Sequence, residues 1–194
     1  MGRHKTISDD AVLAVARDVF RAKGHTATTR EIAQAAGISE AILYQRFGTK
    51  DDLFFAAMAP RPPDVAALLG PREPPEDAHS YLRTVVVRIG RYFDEILPLV
   101  VHMLTHPSFD PAALARALPT SPAARLEEGL AERLKSLARR RRITSPVPAV
   151  TARLLVSLAH DWALGRVHGF ASRGVRQLKA MVDVVWEGLR ARGD

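Results

Sequence analysis

Residues 24–55 divide into two short helices joined by a tight turn, and this division limits the fold more than any other part of the sequence. Thr28 can accept a hydrogen bond from the Glu31 amide while the Glu31 side chain reaches back, which is the capping box that begins a helix. Gly37 adopts a positive φ at little cost and can end that helix. Ser39 can then cap a second helix. The pattern therefore predicts two helices joined by a glycine turn.

A longer helix precedes this pair. Ser8 can cap it, and Asp9 and Asp10 suit its positively polarised end. Apolar side chains recur along it at helical spacing, namely Ala11, Val12, Val15, Ala16, Val19 and Phe20. Three helices are the minimum that can bury one another's apolar faces. We therefore predict a small helical domain over residues 1–58, with a further helix that begins near Lys50.

The second helix of the pair has a polar outer side. Its buried side contains Leu43 and Phe47, which lie four residues apart. The outer side carries Ser39, Glu40, Ala41, Tyr44, Gln45 and Arg46. Hydroxyl, amide and guanidinium groups suit base edges and phosphates, so this side can enter the major groove of DNA. The ordinary polar surface of a helical bundle is the alternative that these residues leave open.

A series of positions in residues 8–56 matches a known pattern. The matching residues are Gly24, Thr28, Thr29, Ile32, Ala33, Ala36, Gly37, Ile38, Ser39, Leu43, Tyr44, Phe47, Lys50 and Leu53. They resemble the N-terminal domain of the TetR family of bacterial repressors. The resemblance implies a ligand-responsive transcriptional regulator, a repressor by expectation, that binds a palindromic operator as a homodimer. The rest of the chain is similar to the family in length and helical layout.

The resemblance also implies which side chains contact DNA. They are Thr28, Thr29, Ser39, Glu40, Ala41, Tyr44, Gln45, Arg46 and Lys50. Thr29, Tyr44 and Lys50 would hold the phosphate backbone. Ser39, Glu40, Ala41 and Gln45 would face bases or nearby phosphates. Glu40 can accept from a cytosine amino group, or it can pair with a basic neighbour such as Arg46.

Net charge does not identify the DNA-binding part. The chain carries a formal charge of +7, yet residues 1–58 hold eight lysines and arginines against seven aspartates and glutamates. The excess lies further along the chain and includes Arg139–Arg142, a run that is expected to end a helix, with a nucleic-acid patch as the alternative. Arg3, His4 and Lys5 form a basic arm that either reaches DNA or stays disordered.

Six prolines at positions 60–75 interrupt the helical pattern. Proline at this density cannot continue a helix, so residues 59–75 are predicted to be a proline-rich connection to a second domain at residues 76–194. Helices are predicted there at about 76–96, 98–106, 111–118, 122–141, 147–169 and 174–192. The predicted fold is all-α: a three-helix helix-turn-helix DNA-binding domain followed by a helical ligand-binding and dimerisation domain.

The last two predicted helices are apolar on more than one side, whereas packing in a single core requires only one apolar face. The additional apolar surface predicts that the last two helices form a four-helix bundle with those of a second copy of the chain. The TetR resemblance implies the same homodimer. The residues expected at this interface are Leu154, Leu158, Leu178, Met181, Val182, Val185 and Leu189.

The middle helices are expected to enclose a small apolar or aromatic ligand. The candidate lining residues are Phe93, Leu97, Val101, His102, Met103, His106, Phe109, Leu134 and Trp162. Plain core packing is the alternative for each of them. His102 and His106 lie four residues apart and can share a metal ion. No third ligand at a supporting spacing accompanies them, so we expect neither a metal nor a cofactor.

Several classes of protein are not expected. The chain has no cysteine, no leader-like apolar run and no apolar stretch long enough to span a bilayer, so a cytoplasmic location without membrane association is expected. G-x-S-x-G and phosphate-binding glycine motifs are absent, so we do not expect an enzyme. Two alternatives remain: a helical protein-interaction module that does not bind DNA and, with less support, a small-molecule enzyme.

Overall fold

The computed structural model describes residues 7–112, 114, 120–145, 147–169 and 174–190. Within these ranges the chain is helical, and the regular backbone pairing outside the helices is an isolated bridge between Ile143 and Arg190. The all-α prediction is therefore confirmed. The helices are α1 Asp9–Lys23, α2 Thr29–Ala36, α3 Glu40–Phe47, α4 Lys50–Met58, α5 Val65–Leu69, α6 Ala78–Leu104, α7 Pro122–Arg139, α8 Pro148–Val167 and α9 Val175–Leu189.

The chain forms two compact units. The first comprises Met1–Pro60 and Pro98–Pro111, and the second comprises Arg61–Leu97 and Ala112–Asp194. This division differs from the predicted domains, because residues 98–111 group with the helix-turn-helix and most of the proline-rich connection groups with the second unit. Two predicted features, the basic arm Arg3, His4 and Lys5 and most of the helix at 111–118, lie outside the described residues.

Helix α1 braces the first unit as predicted. Ser8 caps it by accepting from the Ala11 amide at 3.3 Å. Side chains spaced four apart, including Phe20, are fully buried along its inner face. The Phe20 ring meets the Phe54 ring edge-on with centroids 5.0 Å apart, which ties α1 to α4. Arg17 adds a hydrogen bond of 2.7 Å to the Ala57 carbonyl.

The end of α6 and the residues after it also pack on α4 within the first unit. The His106 ring stacks on Phe54 with centroids 4.3 Å apart, and it meets Phe55 edge-on at 5.1 Å. The Ser108 hydroxyl donates to the carboxylate of Asp51. His106 accepts the Ser108 amide at Nδ1 at 3.2 Å, so a neutral ring carries its proton on Nε2. Aromatic stacking therefore explains why residues 98–111 belong to this unit.

The sequence pattern predicts a new helix that begins at Pro98, and this prediction is wrong. Helix α6 continues through Pro98 for 27 residues, from Ala78 to Leu104. Proline lacks the amide that would bond to the carbonyl four residues earlier, so the helix loses one hydrogen bond there. The remaining bonds and the buried side chains on both sides of Pro98, including Leu97 and Leu99, keep the helix continuous.

The proline-rich connection is held by side chains of the second unit. Tyr92 donates to the carbonyl of Arg61 at 2.9 Å, and Tyr81 donates to the carbonyl of Leu69 at 2.9 Å. Helix α5, which the sequence did not predict, begins inside this connection at a cap formed by Asp64. Residues 61–75 of the connection are therefore an integral part of the second unit.

The core of the second unit brings α6, α7, α8 and α9 together. Its large buried side chains include Leu82, Phe93, Leu134, Leu155 and Trp162. The Trp162 indole donates to the Gly174 carbonyl at 3.3 Å, and the Arg166 guanidinium lies 5.2 Å from the centre of the Trp162 ring. In the part of the chain that the structure describes, no helix is both long and apolar enough to cross a membrane.

Candidate nucleic-acid interface

Helices α2 and α3 form the predicted pair. The Thr28 hydroxyl accepts from the Glu31 amide at 3.2 Å, and the Glu31 carboxylate accepts from the Thr28 amide at 3.0 Å. Gly37 ends α2 in the left-handed conformation, with φ 68° and ψ 29°. The Ser39 hydroxyl accepts from the Ile42 amide and caps α3. The cap uses the hydroxyl oxygen, so the Ser39 proton can still be donated to another group.

The outer side of α3 reaches solvent. Leu43 is buried, whereas Ala41, Tyr44 and Gln45 are exposed, as the sequence predicts. Tyr44 retains 47% of its accessible surface, which places its ring and hydroxyl on the outside of the domain. Ile42, which the sequence analysis assigned to no site, is also exposed, at 39%. The exposed side of α3 therefore combines one amide, one phenol and two apolar groups.

Three side chains at the start of α2 and on α3 form a hydrogen-bonded chain. The Thr29 hydroxyl donates to Glu40 Oε1 at 2.6 Å. The hydroxyl has a single proton, so in the 3.1 Å contact between Thr29 and Tyr44 the tyrosine is the donor. Thr29 is buried, with 8% of its surface exposed. The carboxylate of Glu40 thus orients Thr29, and Thr29 orients Tyr44.

Arg46 does not pair with Glu40, and its guanidinium is turned away from the exposed side of α3. It donates to the Ile7 carbonyl at 2.8 Å and lies 3.3 Å from Asp9. Glu40 and Arg46 are six residues apart, which places them on different sides of a helix with 3.6 residues per turn. Arg46 therefore joins α3 to the start of α1, and we leave it out of the proposed DNA contacts.

The remaining cations near α3 differ in how much of their charge is available. Lys50 donates to the His25 carbonyl at 2.7 Å, which is a neutral partner and leaves two further donors on the ammonium group. Lys23 is neutralised by Glu31 at 2.5 Å. The hydrogen bond from Lys23, together with those from Thr28, lowers the pKa of Glu31 to about 2. Arg30, which the sequence analysis did not single out, is exposed in the first turn of α2 beside Thr28.

The predicted ligand-lining residues are divided between the two units. Phe93, Leu97, Leu134 and Trp162 are buried in the core of the second unit. Five others belong to the first unit, namely Val101, His102, Met103, His106 and Phe109. Met103 is buried, Val101 is exposed, and the remaining three are partly buried. Among the described residues, no group of three histidine, cysteine or acidic side chains is placed to hold a metal ion.

The predicted interface residues of α8 and α9 divide between two faces. Leu178, Val182 and Leu189 are buried against their own chain, so they have almost no surface left for a partner, contrary to the prediction. Leu154 is 47% exposed, and Leu158, Met181 and Val185 are partly buried. Three further apolar side chains, which the sequence analysis missed, are exposed on these helices or just before them: Val147, Val150 and Val184.

Comparisons with known proteins agree with this geometry. Residues 12–57 match the family described as bacterial regulatory proteins, tetR family. A TetR-family transcriptional regulator from Mesorhizobium loti is similar in structure, with a TM-score of 0.68 and 20% identity over 94% of this chain and 96% of the other. No curated protein matches the sequence.

Two further solved structures have the same fold. The TetR-family regulator PfmR from Thermus thermophilus has a TM-score of 0.60 and 24% identity over 97% of this chain and 98% of its own. NalD from Pseudomonas aeruginosa, described as the secondary repressor of the MexAB-OprM multidrug efflux pump, has a TM-score of 0.61 and 17% identity over 95% and 97% of the two chains. The matched family and structures are regulators, in agreement with the prediction that the chain is not an enzyme. The N-terminal domain of the chain therefore matches the tetR family of bacterial regulatory proteins, and the chain shares its fold with TetR-family structures.

Proposed function

We propose that this protein represses transcription by binding a palindromic operator as a homodimer, and that a small apolar or aromatic ligand releases it from DNA. The observation that carries the proposal is the exposed side of α3, which protrudes from a domain that matches a family of DNA-binding regulators. An exposed helix that presents polar and apolar groups in this arrangement fits the major groove.

The exposed side chains of α3 suit particular base edges. The Gln45 amide can donate to and accept from adenine, and the apolar groups of Ala41 and Ile42 can contact thymine methyl groups. We therefore propose that each half-site contains an A·T pair opposite this part of α3. Ser39 lies at the start of the same helix and supplies a hydroxyl that can contact either a base or a phosphate.

A second group of residues would hold the phosphate backbone. Tyr44 is exposed, and its hydroxyl can turn its single proton from Thr29 to a phosphate oxygen. Lys50 has donors that are not used within the protein. Thr28 caps α2 and Arg30 lies in its first turn; both are exposed, and the helix dipole favours phosphate there. These contacts fix the position of α3 but carry no sequence information.

Fluorescence anisotropy with labelled DNA from upstream of the gene tests the proposal. We expect Tyr44→Ala to weaken binding to every sequence by roughly tenfold, because it removes a backbone contact. Gln45→Ala should reduce discrimination at one base pair by about 1–3 kcal/mol. Gln177→Ala, which changes an exposed glutamine of the second unit, is the matched control. Failure of the wild-type protein to bind this DNA at low salt would contradict the proposal.

The homodimer is proposed to form through the apolar outer face of α8 and α9. Val150 and Leu154 are exposed on α8, and Val184 is 76% exposed on α9. Exposed apolar side chains of this size are unfavourable in water and would be buried if a second copy packed on these helices. Two copies related by a two-fold axis would present two α3 helices to the two halves of a palindrome. Sedimentation at several protein concentrations measures the stoichiometry.

Ligand response is proposed as a shift between two states of the dimer. A ligand that binds more tightly to the state with lower operator affinity lowers the dimer's affinity for the operator. The operator lowers the dimer's affinity for the ligand by the same factor. The repressor assignment is supported by NalD, which has a similar fold and is described as a repressor. Titration of a dimer–operator complex with planar aromatic compounds tests the effect, and an increase in operator affinity would contradict it.

A further inference from the structure

The second unit contains an open groove of about 580 Å³ between α5 and α7. This volume lies within the range typical of small-molecule sites. One wall is apolar and consists of Val65 and Ala66 on α5. Gly129 on α7 allows α5 to approach closely, because a Cβ atom at this position would lie 2.6 Å from Val65 Cγ1. The close approach places the apolar wall beside the charged side chains of α7.

A buried cation forms part of the groove. Arg133 retains only 6% of its surface, and its guanidinium donates to the carbonyls of Gly129 and Gly70. Its Nε atom is buried without a hydrogen-bond partner. Among the described residues, no carboxylate forms an ion pair with Arg133. Burial of a cation without a counter-charge is unfavourable, so an anion bound nearby would lower the free energy of the folded protein.

Two further arginines lie at the rim of the same groove. Arg72 and Arg125 are exposed, and neither forms an ion pair with another described residue. Glu128 and Glu132 also line the groove, but Glu132 is already paired with Lys135 at 2.8 Å. Among the described lining residues, the groove therefore holds three arginines against two carboxylates, one of which also pairs with Lys135, and its net charge favours an anion.

We propose that this groove binds a small organic acid. The carboxylate of the acid lies against Arg72 and Arg125, where charge-assisted hydrogen bonds are available, and the field of the buried Arg133 adds to the attraction. The apolar part of the acid covers Val65 and Ala66. The site lies wholly within the second unit and does not depend on DNA binding.

Isothermal titration calorimetry of the full chain with octanoate tests the proposal. Octan-1-ol has the same apolar chain without the charge, and inorganic phosphate has charge without the apolar chain. We expect octanoate to bind, octan-1-ol to bind at least roughly tenfold more weakly, and phosphate not to compete. The double variant R72A/R125A should bind octanoate at least roughly tenfold more weakly than the wild type.

Arg91→Ala is the matched control, because Arg91 is an exposed arginine of α6 that does not line the groove. Circular dichroism verifies that both variants fold. Arg133 is not replaced, because it also anchors Gly70. Equal octanoate affinity in the wild type and R72A/R125A, equal affinity for octanoate and octan-1-ol, or no octanoate binding at millimolar concentration would each overturn the proposal. Because no DNA is present, these results are independent of operator binding.

Discussion

Gly90 lies where α6 packs closely against Trp162 and Leu178 in the second unit. A Cβ atom built there would lie 2.9 Å from Leu178 Cδ2 and 3.1 Å and 3.2 Å from two carbon atoms of the Trp162 ring. Alanine is favoured over glycine inside a helix by about 1 kcal/mol. Overpacking of a core costs about 1–3 kcal/mol. The indole ring is rigid and buried, so we expect overpacking to outweigh the gain in helix propensity and Gly90→Ala to destabilise the protein by up to about 2 kcal/mol.

Urea unfolding followed by tryptophan fluorescence measures this effect at one fixed protein concentration, since dimerisation would otherwise shift the midpoint. Each kcal/mol also corresponds to a change in melting temperature of about 2–4 °C for a chain of this size. Arg91→Ala introduces alanine at the next, exposed position of α6 and should change stability by less than about 0.5 kcal/mol. If Gly90→Ala stabilised the protein, the close packing of α6 against Trp162 and Leu178 would be refuted.

Three further predictions concern the first unit and the outer face of α8. Glu40→Gln should retain DNA binding, because the glutamine carbonyl can still accept from Thr29, whereas Glu40→Ala should weaken DNA binding. An altered preference at a C·G pair in Glu40→Gln would instead show that Glu40 contacts a base. Leu154→Glu should give a folded monomer by sedimentation, and an intact dimer would exclude this face as the interface. Glu31 should titrate near pH 2 by NMR. Since folding lowers its pKa, its stabilising contribution is present above pH 4.5 and is lost as pH falls towards 2; a midpoint near 4.5 would contradict the Lys23 pair.

Helices α1 to α4 could be predicted because their ends are determined by local chemistry. Thr28, Ser39 and Thr49 each cap the helix that follows them, and Gly37 takes the left-handed conformation that ends α2. A cap involves residues within one turn, so a single sequence contains all the information that it requires. The exposure of Tyr44 and Gln45 followed from the same helical spacing.

The features that could not be predicted depend on residues distant in sequence. Arg46 was expected near DNA because nothing in the local sequence reveals that the Ile7 carbonyl, 39 residues earlier, accepts its proton. Helix α5 was missed because the surrounding prolines obscured the cap formed by Asp64. For α8 and α9, apolar residues on several sides do not show which side faces the chain's own core. Only the packed structure separates the buried Leu178 from the exposed Leu154.

The way in which the proline-rich connection is anchored has a consequence for evolution. Tyr81, Tyr92 and Arg140 donate to backbone carbonyls of the connection, and every amino acid supplies a carbonyl. Residues that receive these bonds can therefore be exchanged between homologues with little effect on the attachment. The donor residues cannot be exchanged in this way, because each hydrogen bond requires a side chain with a donor group and the right length. We expect natural variation to concentrate in the connection while the tyrosines and the arginine that restrain it remain unchanged.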